Sequence, residues 1–266
     1  MKQIEISQTG NDTLLLFFGG WGVDAHPFES LKPADRDFML CYDYRNLNFD
    51  THRLASYQKV EVIAWSLGVW VASQVLPVSG LPVIHSIAVN GTLSPIHRET
   101  GIPDEIFQGT IDHLNERNLM KFQRRMCYES AVYEAYRQMA PQRSVEEVKE
   151  ELIALQHFIL GSRNPQEISG NLSLDPNSEG IVLEVERENQ GFDRLKENQK
   201  VEGEKKNQSS VPLNSWSWNE VYISENDAIF PFQNQQRAWQ GKANLHTVKE
   251  GHYCPQLFKA LINHDQ

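Results

Sequence analysis

Cysteine is scarce in this sequence, and its spacing argues against two common kinds of site. The 266 residues include three cysteines, and no two of them have the C-x-x-C spacing of zinc sites and dithiol redox proteins. They are Cys41, Cys127 and Cys254. An odd number of widely spaced thiols indicates reduced cysteines in the cytoplasm.

Long apolar runs and an excess of positive charge are also absent. No stretch approaches the roughly 18 consecutive apolar residues of a membrane span, and the start, MKQIEISQTGNDT, lacks the apolar region of a signal peptide. The formal net charge of −10 argues against a whole-surface affinity for nucleic acid or anionic membranes. We therefore expect a soluble cytoplasmic protein with no membrane or nucleic-acid partner.

Motifs that hold metals or nucleotides are missing as well. The sequence has no H-E-x-x-H, no G-x-x-x-x-G-K-[ST] loop and no G-x-G-x-x-G that follows a strand and opens a helix. We therefore expect neither a metal nor a cofactor.

The sequence does contain short apolar segments that predict the strands of a parallel sheet. Continuous apolar runs separated by helix-length segments are typical of a sheet covered by helices on both faces. The predicted strands are TLLLFFGG (13–20), DFMLCYDY (37–44), KVEVIAW (59–65), VIHSIAVNGT (83–92), NEVYIS (219–224) and NLHTV (244–248). We therefore predict an α/β fold with a mostly parallel sheet.

Two segments interrupt this pattern. Residues 104–160 have helical patterns, including a capping-box sequence at Ser144 and Glu147, and predict a helical cap inserted between strands. Residues 163–213 are strongly polar and turn-rich. They predict a mobile insertion, with a small accessory subdomain as the alternative. We expect the whole chain, 1–266, to form one domain.

The segment EVIAWSLGVW (61–70) contains the first candidate for chemistry. It predicts a strand, a sharp turn at Ser66 and then a helix, which would present the serine hydroxyl above the carboxyl edge of the sheet. In the nucleophile pattern G-x-S-x-G, Ala64 replaces the first glycine and Gly68 supplies the second. The alternative is a serine that only caps the helix.

A nucleophilic serine needs a base, and the base needs an acid that orients it. His252, in the turn EGHYCP after the last predicted strand, has the position expected of the base. Asp227, in ENDAIFP after the penultimate strand, is the preferred acid, with Glu225 and Asp43 as alternatives. A loop histidine and a helix-capping carboxylate are the competing interpretations of His252 and Asp227.

Acyl transfer also needs hydrogen-bond donors for the oxyanion of the transition state. FFGGWG (17–22) ends the first strong strand at the carboxyl edge of the sheet. We predict that the backbone N–H groups of Trp21 and of Leu67, the residue after Ser66, are these donors. A tight glycine-rich turn is a compatible, purely structural interpretation.

With FFGGWG, AWSLG, ENDAIFP and EGHYCP in one order, the chain resembles the α/β-hydrolase superfamily. More narrowly, LLLFFGGWG and CYDYRNL resemble the BioG-type pimeloyl-[acyl-carrier protein] methyl ester esterases, over about residues 1–160 and 215–266. The resemblance implies an α/β-hydrolase fold with Ser66, His252 and Asp227 as the triad. It also implies hydrolysis of the methyl ester of a carrier-bound pimeloyl chain, which releases methanol during biotin synthesis.

An acyl-carrier protein is acidic, so a net-acidic enzyme needs a local basic surface to bind it. In NLMKFQRRM, Lys121, Arg124 and Arg125 lie at i, i+3 and i+4 on one helix face. We predict that they bind the carrier, with a solvated helix face as the alternative. Two other functions remain open: a general carboxylesterase or thioesterase acting on small free esters, and a non-catalytic, hydrolase-like binding module.

Overall fold

A seven-stranded sheet forms the centre of the fold. In the computed structural model, which describes residues 1–162 and 216–263, the strand order is β1-β3-β2-β4-β5-β6-β7. The strands are β1 (Lys2–Ser7), β2 (Thr13–Phe18), β3 (Asp37–Tyr42), β4 (Lys59–Trp65), β5 (Val83–Val89), β6 (Glu220–Ser224) and β7 (Asn244–Val248). β1 pairs antiparallel with β3, and the other neighbours in this sheet pair in parallel.

Helices follow most of the strands. They are α1 (Leu67–Val75), α2 (Asp104–Asp112), α3 (Glu116–Cys127), α4 (Ser130–Gln138), α5 (Val145–Gly161), α6 (Phe232–Trp239) and α7 (Pro255–Asn263), with short 3₁₀ helices at His26–Phe28, His52–Leu54 and Leu76–Val78. The helices α2 to α5 lie between β5 and β6 in the chain, and we call them the cap helices. Within the described residues, no helix is long and apolar enough to span a membrane.

The central strands are buried on both faces. Successive side chains of a strand point to opposite faces of the sheet. In β2, Leu14, Leu16 and Phe18 accordingly pack in one apolar cluster with α1, whereas Leu15 and Phe17 pack in a second cluster with α7. Helices therefore cover both faces of a mostly parallel sheet, as the sequence pattern predicts.

The parallel pairing brings the carboxyl ends of five strands, β2 and β4 to β7, to one edge of the sheet. Phe18 of β2 is opposite Ala64 of β4, and Trp65 is opposite Val89 of β5. Ser224 of β6 is opposite Val248 of β7. The turns after these strands therefore meet at this edge, where α/β proteins place their ligand sites.

The structure differs from the sequence-based expectation at the start of the chain. No strand is predicted in MKQIEISQTGNDT, yet Lys2–Ser7 forms the antiparallel edge strand β1. Ile4 and Ile6 pack against one of the two apolar clusters, so the strand has one packed face. The predicted insertion, residues 163–213, lies outside the described residues.

Candidate active site

Ser66 occupies the sharp turn between β4 and α1. Its backbone has φ 60° and ψ −129°, a conformation that residues with a side chain rarely adopt. Hydrogen bonds hold the turn on both sides, because the Ser66 N–H donates to Val89 O at 2.9 Å and the Val69 N–H donates to Ser66 O at 3.1 Å. The surrounding structure thus maintains a strained backbone that aims the serine side chain at the carboxyl edge of the sheet.

Two glycines allow other segments of backbone to approach this turn. A Cβ atom on Gly68 would lie 2.5 Å from Phe18 O, and one on Gly91 would collide with the carbonyl oxygen of Ser66. Ala64, the departure from the usual pattern, is fully buried within β4. The sequence pattern does not predict this close approach at Gly91.

His252 lies between Ser66 and Asp227. Its Nε2 atom is 2.9 Å from Ser66 Oγ, and its Nδ1 atom is 2.8 Å from Asp227 Oδ2. With the proton on Nδ1, the ring donates to the carboxylate and Nε2 accepts from the serine hydroxyl. All three residues are at least nine-tenths buried. This arrangement can activate a serine hydroxyl as a nucleophile.

The carboxylate of Asp227 is fixed by further donors. Its Oδ1 atom accepts from the N–H groups of Ile229 and Phe230, both at 2.8 Å, and its Oδ2 atom also accepts from Gln235 Nε2 at 2.9 Å. Glu225, the nearest alternative in the sequence, is exposed.

Asp43, the other alternative acid, has different partners. It forms ion pairs with Arg45 at 2.7 Å and with Lys2 and Arg143, each at 3.2 Å. Burial alone would raise its pKa, but the hydrogen bonds and charges of these partners lower the pKa to about 2. Within the described residues, no hydrogen bond joins Asp43 or Glu225 to His252, so the structure brings only Asp227 to the imidazole.

The backbone of His252 is held by two side chains that sequence reasoning missed. Trp65 Nε1 and Asn90 Nδ2 both donate to its carbonyl oxygen, at 2.8 and 2.9 Å. Asn90 has φ 46°, and its Oδ1 atom accepts from the N–H of Ser224 at 2.8 Å. Phe230 stacks on the imidazole with an interplanar angle of 9°. These contacts fix the histidine loop relative to β4, β5 and β6.

The two predicted oxyanion donors lie beside the serine. Trp21 and Leu67 both line a cleft that contains Ser66 and His252. Within the part of the chain that the structure describes, neither of their N–H groups donates to another protein atom. A Cβ atom on Gly20 would lie 3.2 Å from Ser66 Cβ, so this loop directly adjoins the serine. The geometry is compatible with both N–H groups facing a ligand.

The cap helices form much of the cleft wall. The cleft opens to solvent and has an empty volume of about 610 Å³. Its lining from the cap is largely apolar and includes Ile106, Phe107, Phe122, Met126 and Leu152. Such a cleft suits an alkyl chain. Within the described ranges, no group of three His, Cys, Asp or Glu residues could hold a metal ion.

The three basic residues predicted on α3 have different environments. Arg125 is exposed and lines the cleft, and Lys121 is exposed on the same helix. Arg124 instead donates to Tyr128 O at 2.9 Å and to Ser130 Oγ at 2.8 Å, across the junction between α3 and α4. The structure therefore leaves Lys121 and Arg125 more accessible than Arg124.

The fold and this site define the class of protein. The chain superimposes on an esterase from Exiguobacterium antarcticum with a TM-score of 0.53 and 13% identity, over 94% of this chain and 87% of that chain. The likeness shows a shared fold. The chain therefore has the α/β-hydrolase fold that the sequence predicts.

The particular family follows from the sequence comparisons. The family model described as pimeloyl-ACP methyl esterase BioG matches residues 1–199, so the chain belongs to the BioG family. The crystal structure of selenomethionine BioG from Haemophilus influenzae has a TM-score of 0.72 and 28% identity, over 97% of each chain.

A longer relative also matches the chain. It is a malonyl-[acyl-carrier protein] O-methyltransferase from Bacteroides fragilis (strain 638R), 39% identical over 246 residues, or 92% of this chain. The chain spans only 40% of the length of that relative.

Proposed function

We propose that this protein hydrolyses the methyl ester of pimeloyl-[acyl-carrier protein] and thereby serves biotin synthesis. The observation that supports the proposal most strongly is the continuous hydrogen-bonded series from Ser66 Oγ through His252 to Asp227, at 2.9 and 2.8 Å. Membership of the BioG family supports the choice of substrate. The apolar cleft beside Ser66 supports an alkyl chain as the acyl group.

In the proposed first half-reaction, Ser66 Oγ attacks the ester carbonyl carbon while His252 Nε2 accepts the hydroxyl proton. The carbonyl oxygen becomes an oxyanion and accepts hydrogen bonds from the N–H groups of Trp21 and Leu67. Asp227 stabilises the imidazolium cation. When the carbonyl re-forms, the C–O bond to the methoxy group breaks, and His252 donates its proton to give methanol and an acyl-serine ester.

Water completes the proposed reaction. His252 accepts a proton from a water molecule as the water oxygen attacks the acyl-serine carbonyl. The second tetrahedral intermediate breaks the bond to Ser66 Oγ, and His252 returns the proton to the serine. The product is a free carboxyl group at the far end of the carrier-bound chain.

The position of the basic residues supports a carrier-bound substrate. Arg125 combines exposure with a place in the cleft wall, so it can contact an acidic partner whose acyl arm enters the cleft. We place Lys121 beside it on the same surface. Arg124 contributes to this surface mainly by joining α3 to α4 through Tyr128 and Ser130.

Covalent labelling separates the proposed enzyme from a non-catalytic binding module. A fluorophosphonate probe should modify Ser66 in the wild-type chain, as located by peptide mass spectrometry, because His252 lies within hydrogen-bond distance of its hydroxyl. His252→Ala should label far more slowly. Wild-type protein that stays unlabelled would contradict the catalytic assignment.

Charge reversal separates a carrier-bound substrate from small free esters. Lys121→Glu, on the exposed surface of α3 outside the cleft lining, should lower kcat/KM for the carrier-bound ester by about tenfold and should leave a free short methyl ester nearly unchanged. The matched control is Lys59→Glu, an exposed lysine at the amino end of β4, away from the cleft. Equal losses on both substrates would favour a general esterase or thioesterase.

A further inference from the structure

We propose that Glu151, on the cap helix α5, is a positioning residue for the oxyanion loop, which we define as Gly19–Gly22. The inference rests on the proposed function, because it concerns the donor that the Trp21 N–H supplies. Glu151 is completely buried. Its Oε2 atom accepts the N–H of Gly22 at 3.1 Å, and its Oε1 atom accepts the N–H of Tyr44 at 2.9 Å.

The same helix also holds the side chain of Trp21. Trp21 Nε1 donates to Val148 O at 2.6 Å, one helical turn before Glu151. Glu151 fixes the peptide unit after Trp21, and Val148 fixes its indole ring. Both contacts restrict the backbone rotation that decides where the Trp21 N–H points. Gly22 has φ 77°, a conformation that this loop must keep for the hydrogen bond to form.

Tyr44 holds the other end of the oxyanion loop. Its hydroxyl donates to Gly19 O at 2.8 Å, while the Gly19 N–H donates to Cys41 O at 2.9 Å. Because the backbone of Tyr44 is itself bound to Glu151, one carboxylate links both ends of the loop to α5. The loop therefore has its full set of contacts only while α5 is in place.

Stability alone is a weak explanation for a carboxylate at this position. Glu151 pairs with Arg143 at 2.6 Å, and Arg143 also lies 3.2 Å from Asp43. Burial raises the pKa of the Glu151 carboxyl, while Arg143 and the two N–H donors act in the opposite direction. Buried ion pairs often stabilise a fold no better than apolar side chains of similar volume. We therefore infer that this network orients the oxyanion loop.

The charge of Glu151 matters because both of its oxygens accept an N–H. Glu151→Gln would place an amide NH₂ against one of those donors, so one contact would be lost and the loop would shift. Loss of a whole oxyanion donor lowers kcat by about 10²- to 10³-fold. A misaligned donor should cost less, and we expect kcat to fall by about tenfold with KM nearly unchanged.

The experiment compares Glu151→Gln with Glu150→Gln in the full-length chain. Glu150 is the adjacent residue of the same helix, but its side chain is 63% exposed. The readouts are kcat and KM on a short methyl ester, the inhibition constant of an alkyl boronic acid that forms a tetrahedral adduct with Ser66, and the Kd of the carboxylate product. For Glu151→Gln, the affinity for the boronate should fall by the same factor as kcat/KM, while the Kd of the product stays unchanged. Glu150→Gln should match the wild type.

Other results would overturn either the positioning role of Glu151 or the proposed function. Wild-type kcat in Glu151→Gln, or a parallel loss of product binding and boronate binding, would overturn the positioning role while leaving the proposed function intact. A wild-type chain that neither cleaves esters nor binds the boronate would instead overturn the proposed function. If Glu151→Gln does not fold, Tyr44→Phe tests the other end of the loop, where the same selective loss of kcat and boronate affinity is expected. Unchanged kcat in Tyr44→Phe would then overturn the inference.

Discussion

The strained backbone at Ser66 predicts an unusual order of stability for two variants that lack its hydroxyl. Ser66→Gly and Ser66→Ala both remove the hydroxyl, but only glycine adopts φ 60° and ψ −129° without a steric penalty. A residue held in such a conformation costs on the order of 1–3 kcal/mol. Glycine relieves this strain, but its greater conformational freedom in the unfolded chain costs the folded state about 0.5–1 kcal/mol. Ser66→Gly should therefore be the more stable variant by about 1 kcal/mol.

Urea unfolding of both variants measures this difference as a free energy of unfolding. The matched control is Glu134, an exposed residue within α4, where Glu134→Gly should be less stable than Glu134→Ala by about 1 kcal/mol. The order of glycine and alanine should thus reverse between the two sites. If Ser66→Gly were the less stable of its pair, as at Glu134, the strain that we assign to the turn would be absent.

Three further predictions concern packing, charge and thiol reactivity. Gly68→Ala should destabilise the fold by about 1–3 kcal/mol in urea unfolding, because its methyl carbon would lie 2.5 Å from Phe18 O; an unchanged midpoint would refute this. Burial would raise the pKa of Asp43, but its cationic partners Arg45, Arg143 and Lys2 lower the pKa to about 2, from 3.8 in the unfolded chain. The ion pairs of Asp43 therefore stabilise the fold above pH 3.8, and this stabilisation is lost as the pH falls towards 2. Over that pH interval, the melting temperature of Asp43→Asn should therefore fall less than that of the wild type. Burial raises the pKa of all three cysteine thiols, so Ellman's reagent should react with none in the native protein and with three in urea; rapid native reaction would contradict their burial.

Much of the sheet could be predicted because its central strands are buried on both faces. β4 has the same bounds as the apolar run that predicted it, Lys59–Trp65, and the other parallel strands fall within their predicted segments. β1 was missed because only one of its faces packs, which leaves a short alternating pattern in a polar segment. Its antiparallel pairing with β3 depends on contacts that are distant in the chain.

The candidate site could be predicted only in part. Ser66 and His252 each follow a strand, and parallel strands bring such turns to one edge, so chain order alone places them near each other. Glu151 carries no comparable signal, because it belongs to a glutamate-rich helix and its partner Gly22 is 129 residues away. Only tertiary packing reveals that this carboxylate is buried. Tertiary packing also reveals that Arg124, unlike Lys121 and Arg125, donates a hydrogen bond to the start of α4 and is less accessible.

Mass spectrometry of carrier-bound pimeloyl methyl ester is a direct test of the proposed ester cleavage. The substrate is incubated with the wild type and with Ser66→Ala, and the mass of the acyl-carrier protein is followed. The wild type should remove the mass of one methylene group, as ester becomes acid, whereas Ser66→Ala should leave the mass unchanged. A wild-type chain that leaves this ester intact while cleaving short free esters would contradict the proposed substrate.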